Sequence, residues 1–333
     1  MPTSGAEADH LRDSAGGELA EAALGGDRRA LAKILTAVEN RSPVAEEALR
    51  VLHPRAGRAH LVGITGPPGT GKSTLVAALT RVARAARRSV AVVAVDPSSP
   101  ITGGALLGDR VRMQEHAGDR DVFIRSMAAR GHAGGLAPTS IAAASVFDAV
   151  GFDLVLIETV GTGQSEVEVA AAADTTVVLE APESGDEVQA IKAGLLEVAD
   201  LVVVNKADRP EAQRTASQLR AMLVAGSAIR AGRPGPRPKR PEILLTTAST
   251  GDGVPELLAA LDRHRASLGP GDERRLARAE AQVEAILAGR LADLLRDPLH
   301  APERRRLLAE VAAHLRDPYS AADALMARLR VSR

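Results

Sequence analysis

The chain has no cysteine and no tryptophan. Without thiols it can form no disulfide, thiolate zinc site or iron–sulfur cluster, and thiol catalysis is excluded. Its four aromatics are Phe123, Phe147, Phe152 and Tyr319, too few for the stacking platforms that bind single-stranded nucleic acid. Neither sign of charge is in excess: 42 basic residues balance 42 acidic ones. No global positive field therefore draws in nucleic acid or an anionic membrane. No apolar run approaches the roughly 18 residues of a membrane span. The first twenty residues carry Glu7, Asp9, Asp13 and Glu18 and no apolar run, so no secretory signal is visible. The expectation is a soluble, cytoplasmic protein with no nucleic-acid or membrane partner. Lysine is also scarce: Lys33, Lys72, Lys192, Lys206 and Lys239 are the five among the 42 cations. Each is a candidate for a place that needs a compact ammonium rather than a planar guanidinium.

What is present is a chain of 333 residues, 45% hydrophobic, enough for two units or one large domain with extensions. Residues 15–50 read as helix, with Leu19, Leu31, Leu35 and Val38 at helical spacing. The middle then carries short runs rich in Val, Ile and Leu at 61–65, 90–96, 154–158, 176–179, 201–205 and 243–246, mostly separated by helix-like segments. Continuous apolar runs predict strands buried on both faces, hence an α/β fold with a mainly parallel sheet covered by helices. Residues 226–241, rich in Pro and Gly, read as a surface loop. After Asp272 three leucine stripes at helical spacing follow. The expected plan is an N-terminal helical extension at 1–57, an α/β domain at 58–266 and a C-terminal helical arm at 267–333.

The run ending at Thr65 leads into Gly66-Pro67-Pro68-Gly69-Thr70-Gly71-Lys72-Ser73-Thr74, with a helical pattern after it. This is G-x-x-x-x-G-K-[ST] in its required strand–helix context, the P-loop of a nucleoside triphosphatase. Glycines let consecutive N–H groups turn inward as an anion nest, and the helix N-terminus adds partial positive charge. Lys72 is expected at the β- and γ-phosphates and Ser73 on Mg²⁺. Downstream, Asn205-Lys206-Ala207-Asp208 places N-K-x-D at the end of a buried strand. A carboxylate at Asp208 can accept from N1–H and the 2-amino group of guanine, a donor pair that adenine lacks. Thr247, Ala248 and Ser249 follow the next strand, where loop N–H groups could hold the guanine carbonyl. The expected ligands are GTP and GDP.

Mg²⁺ prefers hard oxygen ligands. Asp96 ends the second run, Asp109 lies in the loop after it, and Glu158 ends the third run where many GTPases carry the Asp of D-x-x-G. With Ser73 these form the candidate metal set, although Asp109 has an alternative role in pairing with Arg110 or Arg112. Gly161 is placed to donate its N–H to the γ-phosphate and so report its presence. Ras-like enzymes orient the attacking water with a Gln directly after that Gly. Here Thr162 stands there, so intrinsic hydrolysis is expected to be slow. Lys192, in Ser184-Gly185-Asp186-Glu187-Val188-Gln189-Ala190-Ile191-Lys192, is a candidate to stabilise transition-state charge; the alternative is a solvated helix residue paired with Glu187.

Taken together, residues 66–74, 96–112, 131–139, 158–166, 185–192 and 205–208 resemble the methylmalonyl-CoA mutase-associated GTPases of the MeaB/ArgK type. The similarity extends over roughly 15–330, including Asp317-Pro318-Tyr319. It implies a P-loop GTPase that acts as chaperone to an adenosylcobalamin-dependent acyl-CoA mutase, gating cofactor loading and protecting the mutase. It also implies homodimers through C-terminal helices, and a third switch in which Asp186 and Lys192 meet the nucleotide when the partner is bound. Two departures stand out: Ala193 replaces a frequent second basic residue, and 226–241 looks inserted. An older reading of such proteins, a kinase linked to transport of basic amino acids, finds no support in N-K-x-D. A nickel-insertion GTPase is a further alternative, but the Cys and His clusters such proteins commonly use are absent. No cobalamin-binding D-x-H-x-x-G is present either; the nearest approach, Asp262-Arg263-His264-Arg265-Ala266-Ser267, lacks the Gly.

Overall fold

The computed structural model describes residues 13–96, 116, 118–128, 138–159, 165–182, 193–230, 240–269, 273–296 and 301–331. It divides into two compact units, Met1–Arg275 and Leu276–Arg333.

In the first unit, strands β1 (His60–Thr65), β2 (Val90–Asp96), β3 (Val122–Ala128), β4 (Leu154–Glu158), β5 (Thr175–Glu180), β6 (Leu201–Val204) and β7 (Glu242–Leu245) form one parallel sheet in the order β3-β2-β4-β1-β5-β6-β7. The six apolar runs read from the sequence are strands, as expected. β3 is the addition. It is an edge strand, paired only with β2, and polar Arg125 and Ser126 interrupt its apolar run. Arg125 is held there by an ion pair with Glu39.

Side chains alternate across each strand, and helices cover both faces. On one face α4 (Lys72–Ala85) and α9 (Val254–Ser267) bury Leu75, Leu79, Leu257 and Leu261 against Val62, Ile64, Leu154 and Leu156. Arg88 clamps α9 through a two-pronged pair with Asp262, at 2.7 and 2.6 Å. On the other face α1 (Ala15–Leu24), α2 (Arg28–Glu39), α3 (Pro43–Leu52) and α5 (Pro138–Ala149) share a core with β2, β3 and β4, in which Ile34, Leu35, Phe147, Val155 and Ile157 are fully buried. α6 (Ser165–Ala172) lies beside β1, where Gly63 admits Val169. α7 (Ala193–Val198) and α8 (Ala212–Arg230) cover β5 and β6.

The segment read as one helix over 15–50 is thus three helices. Gly25 and Gly26 end the first, Gly26 at φ +91°, and Asp27 caps the next by accepting from the N–H groups of Arg29 and Ala30. These helices belong to the core of the sheet domain. The loop joining them to β1 is fastened by the Asp148 carboxylate, which accepts from the N–H groups of Gly57, Arg58 and Ala59 at 2.5–2.9 Å.

The second unit holds most of α10 (Glu273–Arg296), with α11 (Ala301–Ala312) and α12 (Pro318–Val331). Leu307 and Ala321 are buried in it. Asp317 caps α12, accepting from the Ser320 N–H at 2.9 Å. Along α10, Leu276, Val283, Ile286, Leu287, Leu291 and Leu294 are all exposed. No helix among the described residues is long and apolar enough to cross a membrane.

Candidate nucleotide site

In an open α/β sheet, ligands collect at the carboxyl ends of the strands. Here the motifs read from the sequence occupy the ends of adjacent strands. β1 leads into the phosphate loop and α4, and on its two sides β4 ends in Glu158 while β5 runs to Glu180. β6 delivers Asn205–Asp208, and β7 leads to Thr247, Ala248 and Ser249.

The phosphate loop is shaped by its glycines. Gly66 has φ +142°, and a Cβ there would overlap the carbonyl oxygen of Leu179. Gly71, at φ +95°, begins α4 from the left-handed region and lies against the Asn205 amide. Pro68 and Gly69 are exposed, Thr70 is buried, and Thr74 is half-buried in the first turn of α4. Lys72 Nζ donates to the carbonyls of Gly66 at 2.8 Å and Pro67 at 3.0 Å, so its stem lies folded along the loop. Ser73 Oγ donates to Glu158 Oε1 at 2.6 Å, with both side chains buried. A hydroxyl from the first turn of α4 and a carboxylate from the end of β4 are therefore in direct contact, a pair of hard oxygen donors of the kind Mg²⁺ selects. Asp96 is the last residue of β2. Asp109, Gly161, Thr162, Asp186 and Lys192 lie outside the described residues.

Asn205 has a role that its motif position alone did not reveal. Its side-chain N–H donates to the Thr70 carbonyl at 2.8 Å, and its Oδ1 accepts from Thr246 Oγ1 at 3.1 Å and from the Ala248 N–H at 3.0 Å. Its backbone N–H donates to Glu180 at 2.8 Å. One buried amide thus fixes the phosphate loop to the loop after β7. Lys206, at φ +59°, reaches back to the Gly69 carbonyl at 2.7 Å. Asp208 is exposed and hydrogen-bonds to none of the described residues. The N–H of Thr246 is taken by Val204, that of Thr247 by Asp252 and that of Ala248 by Asn205. The Ser249 N–H donates to none of the described residues. Thr246, which the sequence offered only as a loop residue beside the guanine carbonyl, donates its hydroxyl to Asn205 instead.

The family model described as methylmalonyl-CoA mutase-associated GTPase MeaB matches residues 31–299. The chain belongs to this family. It is accordingly a GTPase. A GTPase of Pyrococcus horikoshii is 45% identical over 315 residues, covering 94% of this chain and 98% of the relative. The mouse (Mus musculus) protein named methylmalonic aciduria type A homolog, mitochondrial, is 37% identical over 246 residues, covering 70% of this chain and 59% of that protein. Among solved structures, the crystal structure of an LAO/AO transport system kinase superposes with TM-score 0.66 at 26% identity, covering 96% of this chain and 98% of that one. The sheet and its nucleotide loops in this MeaB-family chain are therefore those of a P-loop GTPase.

Proposed function

We propose that this chain is a GTP-hydrolysing chaperone that gates adenosylcobalamin loading into an acyl-CoA mutase, methylmalonyl-CoA mutase or a close relative, and protects that enzyme. The observation that carries the reading is the match of a mutase-associated GTPase family across residues 31–299. Guanine is selected by Asp208, whose exposed carboxylate accepts the N1–H and 2-amino donors while the Ser249 N–H meets the base carbonyl. The residues of the phosphate loop, 66 and 68–74, hold the phosphates, with Lys72 released from its loop carbonyls to the β- and γ-phosphates.

Ser73 and Glu158 fit a magnesium ion by their shared geometry, and Asp96 and Asp109 complete the candidate set. Bound there, Mg²⁺ neutralises charge on the phosphate oxygens. The chain's own work is to bind, orient and sense. Gly161 reports the γ-phosphate, and Thr162 leaves the attacking water without the Gln found in Ras-like enzymes, so turnover alone is slow. Docking of the mutase brings Lys192, with Asp186, to the phosphates and supplies the missing charge. The setting is the cytoplasm, and the protein works as a homodimer.

Two measurements test this. Titration calorimetry is expected to show GTP and GDP binding far above ATP; equal affinities remove the guanine assignment. GTPase assays with and without candidate mutases are expected to show stimulation of roughly two to three orders of magnitude, lost in Lys192→Ala. Stimulation intact in Lys192→Ala rejects that lysine, and no stimulation by any acyl-CoA mutase rejects the chaperone reading.

A further inference from the structure

Between Glu158 and the segment that carries Gly161 stands Thr159. Along β4, Leu154 and Leu156 pack toward α4, whereas Val155 and Ile157 join the core on the opposite face. The same alternation sends Glu158 to the α4 side, where Ser73 meets it, and Thr159 to the other. β1 behaves alike: Val62 and Ile64 face α4, Gly63 faces Val169 of α6, and Thr65 shares the side of Gly63. On that side Thr159 Oγ1 donates to Thr65 Oγ1 at 3.1 Å, and the Thr159 N–H donates to the Ile64 carbonyl at 3.2 Å, one rung past the end of β4. The two side chains are 1% and 0% exposed. Valine would fill either place equally well, and a buried hydroxyl costs free energy unless it is bonded. The bridge therefore does more than pack.

We propose that Thr159 and Thr65 are a positioning pair for GTP hydrolysis. Their hydroxyl bridge fastens the root of the segment leading to Gly161 onto the last residue of β1, immediately before the phosphate loop. It fixes the point where the chain leaves β4 and keeps Glu158 turned toward Ser73. This inference rests on the proposed placement of Gly161 and Glu158 at the γ-phosphate and Mg²⁺. Because GDP has no γ-phosphate, the pair governs hydrolysis and not GDP affinity.

The test is single-turnover GTP hydrolysis by the full-length protein alone, with GDP affinity measured by fluorescence titration. Thr159→Val is expected to slow hydrolysis about tenfold, the effect of a lost buried hydrogen bond, while changing the GDP Kd by less than about twofold. Thr159→Ser should restore the rate. Thr65→Val should reproduce the loss, carrying the test from the other side should Thr159→Val not fold. The double variant should be no slower than either single one, since both remove one bridge. Unchanged hydrolysis in both Val variants overturns the proposal, as does GDP affinity falling in parallel with the rate or a Ser variant as slow as Val. No mutase is present, so a wild type that hydrolyses GTP without responding to a mutase sinks the chaperone reading and leaves the pair intact. A wild type that binds no GTP overturns both.

Discussion

Asn205 joins three segments that are distant in sequence, and none of its bonds needs a nucleotide. Replacing it with Ala removes bonds to Thr70, Thr246 and Ala248, each worth about 1 kcal/mol. Asn205→Ala is expected to lower the stability of the nucleotide-free protein by about 3 kcal/mol in urea unfolding. Unchanged stability would confine this residue to ligand contact. At the opposite end of the sheet, His60 is 1% exposed and lies 2.7 Å from Thr175 Oγ1, which also meets His264 Nδ1 at 2.7 Å. Burial pushes the His60 pKa from 6.5 down to about 4; Arg265 and His264 add to the shift, while Asp174 and Asp262 oppose it. Asp200, 3.5 Å from His264 Nε2, faces the same cluster. The folded state therefore keeps His60 neutral where the unfolded chain protonates it. Its contribution is full above pH 6.5 and drains away as pH falls toward 4, by about 3 kcal/mol in all. His60→Gln should lose less stability than wild type between pH 7 and 4.5; a constant difference between the two proteins would contradict this.

Among elements, the turn from β1 into α4 sets the sharpest contrast between two glycines. Gly66 has no room for a Cβ beside Leu179, whereas Gly69, at φ +82°, has nothing within 4 Å. Gly66→Ala is expected to destabilise the nucleotide-free fold by several kcal/mol, because β1 must part from β5. Gly69→Ala should cost about 1 kcal/mol, the left-handed backbone alone. Equal unfolding midpoints for the two variants would contradict the packing argument. The phosphate-loop and N-K-x-D motifs were legible in the sequence because each follows a short apolar run, Leu61–Thr65 and Leu201–Val204. β3 was not legible, since Arg125 and Ser126 break its apolar run, and the Arg125 charge is accommodated between β3 and α2 only by its ion pair with Glu39. The breaks at Gly25–Asp27 were spelled in ordinary stop and start residues, but a continuous leucine period spoke louder. The bridge between Thr159 and Thr65 and the three-way bond of Asn205 could not be read at all, because each joins residues whose neighbourhood exists only once the sheet has formed.

At the scale of the whole molecule, Leu287, Leu291 and Leu294 of α10 are exposed among the described residues. An exposed apolar stripe suits an interface, and the proposed homodimer would pair two copies of it. Light scattering is expected to give a dimer, and Leu287→Glu with Leu291→Glu a monomer that still binds GDP. A full-length monomer would exclude that arrangement.

The seating of α1–α3 on the sheet also has a consequence in time. These helices leave the ribosome before the sheet does, yet the core that Ile34 and Leu35 share also takes in residues of β2, β3, α5 and β4, all synthesised afterwards. Asp148, which fastens their exit loop, comes 91 residues after Gly57. At about 5–20 residues per second, the interval is roughly 5–20 s. Throughout it the apolar residues that these helices place in the shared core are expected to lie uncovered by the sheet. Slowing translation between residues 60 and 150 should lengthen that exposure, and aggregation of arrested chains should peak there and subside once β4 has emerged.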